Sequence, residues 1–295
     1  MPNVVSQGVT NLRTNGSLWY GLYLAKVGLA AIIAVPLLVV VNQTLESSAF
    51  ANALLSDWSM DVILELSYAK ENVFTTFLIV LAFYTIAVFV LRQFLNGGIY
   101  SALLSRRRQT LDSFFGQGAV QFAGHVRVSL FMALVYILLI VFATTAGSLV
   151  PTDQFRHFGP AALNPAIARF ALLYPFLILG TIFSDLLRFS LAAHPGLPFK
   201  VHLTSAMDTY RSQFVKLIGV YYLYFIPMVL IWLAVEVLAA EVTRSLNSMF
   251  GVLVELVLFQ VCSFLRTGQS LAGTATIACL LPESTVEPSV QQVAP

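Results

Sequence analysis

The side chains best suited to metal or nucleophilic chemistry are four histidines, His125, His157, His194 and His202, and two cysteines, Cys262 and Cys279. Their spacing supports neither. A zinc hydrolase needs a ligand pair such as that of an HExxH helix, and structural zinc or redox chemistry needs cysteines at CxxC spacing. No histidine has HExxH spacing or an acid at a recognised ligand interval, and the two cysteines read as apolar packing. GxSxG elbows, P-loops and dinucleotide fingerprints are missing too. Gly97 and Gly98 read as a helix exit or close-packing point rather than a phosphate cradle. The sequence thus offers no catalytic, cofactor or metal set, and the chain is read as non-enzymatic.

Ionisable residues inside apolar stretches are the remaining pointers. Asp185 and Arg188, Arg92, Arg266, Glu255 and Arg169 all fall within or at the edge of such stretches. A lone charge at mid-membrane costs about 2.5 to 3.5 kcal/mol on insertion scales, so each is expected to find a partner. Asp185 is expected to pair with Arg266 or Arg92 and to clamp helices. Glu255 is expected to pair with Arg169, while Glu236, Glu241 and Arg244 complete a charged set near the same side. The alternative for Glu255 is a proton or cation site.

The elements that must hold these residues follow from composition. Hydrophobic residues make up 58% and charged residues 10% of 295 positions, against roughly a quarter charged in a soluble domain. Such a chain needs lipid. The formal net charge of +2 gives no reason to expect nucleic acid. Apolar runs of the roughly 20 residues needed to cross a bilayer occur at about residues 18–41, 73–95, 128–150, 166–189, 215–238 and 249–280. Continuous rather than alternating hydrophobicity indicates helices, which satisfy their own backbone in lipid. The expected fold is all-α, a polytopic transmembrane bundle of six spans. Residues 1–17 read as a cytoplasmic tail, the first span as retained rather than cleaved, and residues 282–295 as a flexible tail. Pro36, Pro175 and Pro227 lie within spans, where each removes a hydrogen bond and is a candidate kink.

Basic residues set the orientation. With the amino terminus inside, Arg13, Lys26, Arg92, Arg106, Arg107, Arg108, Arg127, Arg188, Lys200, Arg211, Lys216 and Arg266 are cytoplasmic, leaving Lys70, Arg156, Arg169 and Arg244 outside. That asymmetry satisfies the positive-inside rule with both termini cytoplasmic and suits a multi-pass protein of a bacterial inner membrane. The outer loop 42–72 carries Leu54, Leu55, Trp58, Val62 and Leu66 at helical spacing against Asp57, Asp61 and Glu65, which predicts a surface helix.

Two inner connections show the same device. From Thr110, a plausible N-cap, Leu111, Phe114, Phe115, Phe122 and Val126 recur at helical spacing, with Asp112, Gln117 and Gln121 on other sides. Phe199, Leu203, Met207, Tyr210, Phe214 and Leu217 do so among Lys200, Asp208, Arg211 and Lys216. Both predict interfacial amphipathic helices. Arg106, Arg107, Arg108, Lys200, Arg211 and Lys216 are then placed to contact anionic lipid or a partner. A shift of 96 positions superposes Arg92 on Arg188 and Asp112 on Asp208, a weak repeat of like topology rather than the inverted halves of many transporters.

The runs YLAKVGLAAIIAVPL, LESSAFANALL, FLNGGIYSALLSRRR, SDLLRF and ELVLFQVCSFLRTGQSLAGTATIACLL resemble a group of uncharacterised bacterial six-span inner-membrane proteins. Those are similar in layout to the membrane domain attached to some glycerophosphodiester phosphodiesterases. The resemblance implies a six-helix fold with inner amphipathic connectors and carries over no catalytic residue. Two functions follow as expectations. The first is a non-catalytic membrane subunit or scaffold that contacts lipid, and a membrane-protein partner or a second copy, through its inner helices. The second is a transporter or permease component moving a small solute or lipid between kinked helices.

Overall fold

The computed structural model describes residues 2–45, 71–106, 108–148, 165–246 and 249–281. Among them are seven helices and no strands: α1 Pro2–Thr14, α2 Gly16–Leu45, α3 Glu71–Ser105, α4 Leu111–Ser148, α5 Pro165–Ala193, α6 Phe199–Leu246 and α7 Met249–Leu280. Four stretches are long and apolar enough to cross a membrane: Leu78–Ser105, Leu111–Phe142, Leu173–Ala193 and Phe199–Val242. The chain is a membrane protein, helical and without strands among its described residues. The outer-loop helix, Arg107 and the carboxyl-terminal tail lie outside the described residues.

Two compact units result, Tyr20–Arg92 and a larger one of Met1–Trp19 with Gln93–Pro295. The described side chains of the smaller unit are mostly exposed and apolar, among them Leu24, Ile32, Phe83 and Ile86. In the larger unit α4 packs along α5, α5 along α6, and α6 along α7, with α1 laid on α7. The segment read as a tail is therefore a helix. It buries Leu12, Asn11 and Asn15, and Asn11 Nδ2 donates to Leu103 O at 2.7 Å, satisfying a carbonyl in the last turn of α3.

Packing within this unit depends on small residues, as expected where lipid tails are as apolar as leucine. A Cβ on Gly97 would lie 2.9 Å from Gly118 Cα, and one on Gly98 2.6 Å from the Phe114 ring. The glycine pair is thus a close-packing point; α3 runs seven residues beyond it and ends where Arg106 turns left-handed at φ 51°. Thr110 caps α4, its Oγ1 accepting from Ser113 N at 3.3 Å.

The amphipathic segments differ from their expected form. The first is continuous with its span in one 38-residue helix. Its faces are also rearranged: Leu111 is 74% and Phe115 46% exposed, whereas Gln121 is 2% exposed. In lipid the outward face can be apolar, so polarity does not mark the solvent side. The second segment is set off from its span at Gln213, where φ −120° and ψ 16° interrupt the helix. The break falls at Gln213 rather than at Pro227, and Gln213 Nε2 donates to Leu280 O, the last carbonyl of α7, at 2.9 Å. The helix end supplies the acceptor that holds the break.

Candidate functional site

The polar residues of the larger unit gather where α3, α4 and α5 meet. On α5, Asp185 and Arg188 lie one turn apart, Arg188 Nη1 being 3.8 Å from Asp185 Oδ1. Tyr100 Oη, from α3, donates to that oxygen at 2.5 Å and accepts from Arg188 Nη1 at 3.5 Å. Arg188 Nη2 donates to Ser129 Oγ on α4 at 3.4 Å, and Ser129 Oγ donates to Gln93 Oε1 at 2.7 Å. Asn96 Nδ2 reaches the same Gln93 oxygen at 3.5 Å. Three helices are thus linked by one directed chain of donors.

Burial makes this arrangement consequential. The side chains of Arg188 and Asp185 are only 12% and 16% exposed. A buried guanidinium is tolerated when a carboxylate and further polar groups replace its water. The Arg188 guanidinium also lies 5.8 Å from the Tyr100 ring centroid, within cation–π range. Phe189 packs edge-on to Tyr100 with centroids 4.8 Å apart. His125 completes the wall, fully buried with its ring 5.8 Å from that of Tyr100, and neither of its nitrogens has a hydrogen-bond partner.

The other buried histidine is satisfied. His202 Nε2–H donates to Leu197 O at 3.1 Å, which leaves Nδ1 to accept from Ser190 Oγ at 3.1 Å. It pins the turn between α5 and α6, where His194 ends the helix. This is a structural role.

A cavity of about 560 Å³ lies on the other side of α5, between α5, α6 and α7. On its α6 wall Tyr221 and Tyr224 are followed by an apolar and aromatic stretch of Phe225, Met228, Val229 and Trp232. The α7 wall is mixed: Ser263, Arg266, Gln269, Ser270 and Thr274 recur at helical spacing, with Phe259, Cys262 and Ile277 beside them. From α5 come Thr181 and Asp185. Asp185 therefore belongs to both places, held by Tyr100 and Arg188 on one side and bordering the cavity on the other.

The sequence-derived candidates separate accordingly. Asp185 and Arg188 come together, and Arg266 borders the same cavity as Asp185. The cross-helix partner of Asp185 described here is the neutral donor Tyr100, and its ionic partner is on its own helix. Arg92 is an exposed residue of the smaller unit. Glu255 is half-buried on α7, and Phe259, one turn further along, is a cavity residue. Arg169 lies on α5 with its side chain outside the described residues. Arg106, Arg108, Lys200, Arg211 and Lys216 are all exposed. Nothing in the spacing of Tyr100, Gln93, Ser129 or His125 marks them in the sequence as members of this network. Among the described residues no group of three His, Cys, Asp or Glu side chains could hold a metal ion.

Comparison of the chain with protein families, curated proteins and solved structures finds no match in any of the three. Function has to be argued from the chain's own geometry.

Proposed function

We propose that the chain is a non-catalytic subunit or scaffold of a bacterial inner membrane, with six spans and both termini cytoplasmic. It grips anionic lipid, and a membrane-protein partner or second copy, through its basic connecting segments. The observation that carries this reading is the break at Gln213, which divides a segment bearing exposed Lys200 and Arg211 from the apolar helix that follows. Exposed Val201, Met207 and Phe214 accompany those bases, the mixture that suits a headgroup boundary. Arg106 and Arg108 add exposed charge at the end of α3.

Native mass spectrometry from vesicles of mixed phosphatidylglycerol and phosphatidylcholine tests this reading. Replacing Arg106, Arg107 and Arg108 together by Gln is expected to lower retained phosphatidylglycerol at least fivefold, because each surface Lys or Arg is worth about 1 kcal/mol at an anionic surface and the loss of even one such term is about fivefold. Equal retention would leave those arginines only a topological role. The transport reading is favoured by the cavity, which brings Arg266, Gln269 and Ser270 of α7 together with Met228 and Trp232 of α6. Crosslinking in intact membranes separates the two: a stable complex with another membrane protein supports the scaffold, and an ATPase or solute-binding partner supports transport.

A further inference from the structure

The cavity between α5, α6 and α7 has an uneven charge account. Asp185, the acid on its wall, is already engaged by Arg188 and by the Tyr100 hydroxyl. Arg266, the base on its wall, has no polar partner among the described residues, and neither do the side chains of Gln269 and Ser270 next to it. Thr274, by contrast, turns its hydroxyl back onto Ser270 O at 2.9 Å. What faces the cavity is one unmatched positive charge flanked by an amide and a hydroxyl, a donor set for an anion.

The facing wall requires a different chemistry. Tyr224 Oη meets Thr276 Oγ1 at 2.9 Å while Gln213 meets Leu280 O, so residue numbers rise along α6 as they fall along α7. The two helices run antiparallel and their stripes oppose each other along the cavity. On α6 the stripe from Phe225 through Met228 to Trp232 spans about 10 Å at 1.5 Å per residue and offers only apolar and aromatic surface apart from the indole N–H. The cavity of about 560 Å³ lies within the roughly 300–1,000 Å³ of small-ligand sites. An anionic group joined to an alkyl chain matches Arg266, Gln269 and Ser270 on one helix and the stretch from Phe225 to Trp232, beyond Tyr221 and Tyr224, on the other.

We infer that this cavity binds one phospholipid with an anionic headgroup, its phosphate on Arg266, Gln269 and Ser270 and one acyl chain along Met228 and Trp232. The inference rests on the proposed reading of α7 as a span. A bilayer supplies such a molecule at high local concentration, and an arginine within a membrane helix is a functional marker when it faces a cavity. Ser263, one turn before Arg266 on the same wall, adds a further hydroxyl for the headgroup.

The test uses the full chain in phosphatidylcholine vesicles containing a phosphatidylglycerol with a diazirine in its acyl chain, with labelled residues mapped by mass spectrometry. Labelling of Met228 and Trp232 is expected to exceed, by at least fivefold, that from the same probe with a phosphatidylcholine headgroup. Arg266→Gln should abolish that preference and Arg266→Lys should keep most of it. Met228→Trp, which fills the cavity from the apolar side and leaves the arginine in place, should reduce labelling of Trp232 at least fivefold. Glycerol 3-phosphate in solution should not compete; competition would assign the site to a soluble phosphate ester and overturn the inference. Headgroup-independent labelling, or labelling unchanged by both Arg266→Gln and Met228→Trp, would also overturn it. Leu256 and Val257, exposed on α7, report the underlying reading separately. If they are labelled while the cavity residues are not, the span stands and the lipid site fails; if they too are unlabelled, both fail.

Discussion

Arg188 is paired with Asp185 and Arg266 lines a cavity that Asp185 also borders, and the two arginines have opposite fates. Arg188 is buried among Asp185, Tyr100 and Ser129, so its charge is spent on joining α3, α4 and α5. Arg266 is exposed on the wall of a cavity and meets no such partners. The difference separates a charge that serves the fold from one available to a ligand. Burial alone would not make that distinction, because Asp185 belongs to both regions; what decides is that the two Nη groups of Arg188 meet a carboxylate and two hydroxyls, even though its Nε has no partner among the described residues, whereas Arg266 meets none of these.

The largest effect expected on the buried side comes from Asp185→Ala. It leaves the Arg188 guanidinium without its carboxylate, a change that costs about 3 to 5 kcal/mol when one partner of a buried pair is removed. Thermal unfolding in detergent measures it, and an unchanged midpoint would dissolve the contrast between the regions.

A pair of glycine substitutions sharpens it. Gly97→Val places a branched side chain where Cβ is already 2.9 Å from Gly118 Cα, and backbone cannot yield as a side chain does. A loss of about 1 to 3 kcal/mol is expected from overpacking. Gly273→Ala on the cavity wall puts Cβ 3.5 Å from the Tyr224 ring, an ordinary contact. It should be neutral or raise stability by up to about 1 kcal/mol through helix propensity. Denaturant titration of the two variants side by side checks the difference.

Trp19→Phe tests a third seam at smaller amplitude. Trp19 Nε1 donates to Phe264 O at 2.9 Å, and its ring stacks on Phe264 with centroids 4.6 Å apart. Phenylalanine keeps the stacking and loses the hydrogen bond, for about 1 kcal/mol. A larger loss would make this junction with α7 a principal support rather than a secondary one.

How much of this was legible in the sequence depends on the kind of signal. Helical class followed from unbroken apolar runs, and the close approach at Gly97 and Gly98 from two residues without side chains. Asp185 was visible as an acid where lipid would not tolerate one. Its cross-helix contact with Tyr100 was not, because Tyr100 is 85 positions away and a tyrosine near a span end has ordinary reasons to be there. Periodicity places Gln121 on the polar side of an amphipathic helix, yet it is buried beside Gln117 and Ser101, with hydrogen bonds of 3.0 and 2.9 Å. Periodicity reports that two faces differ, and in a membrane protein it does not say which one turns outward. The helix at Pro2–Thr14 was equally hidden, since Asn11 and Asn15 look polar until their partners are known.

The most direct measurement compares Arg188→Gln with Arg266→Gln in both thermal unfolding and headgroup-dependent lipid labelling. The division drawn above predicts a large stability loss for Arg188→Gln. For Arg266→Gln it predicts a stability change within about 0.5 kcal/mol, as for substitutions away from packed features, together with loss of the phosphatidylglycerol preference. Equal destabilisation by the two variants, with headgroup preference intact in Arg266→Gln, would contradict it.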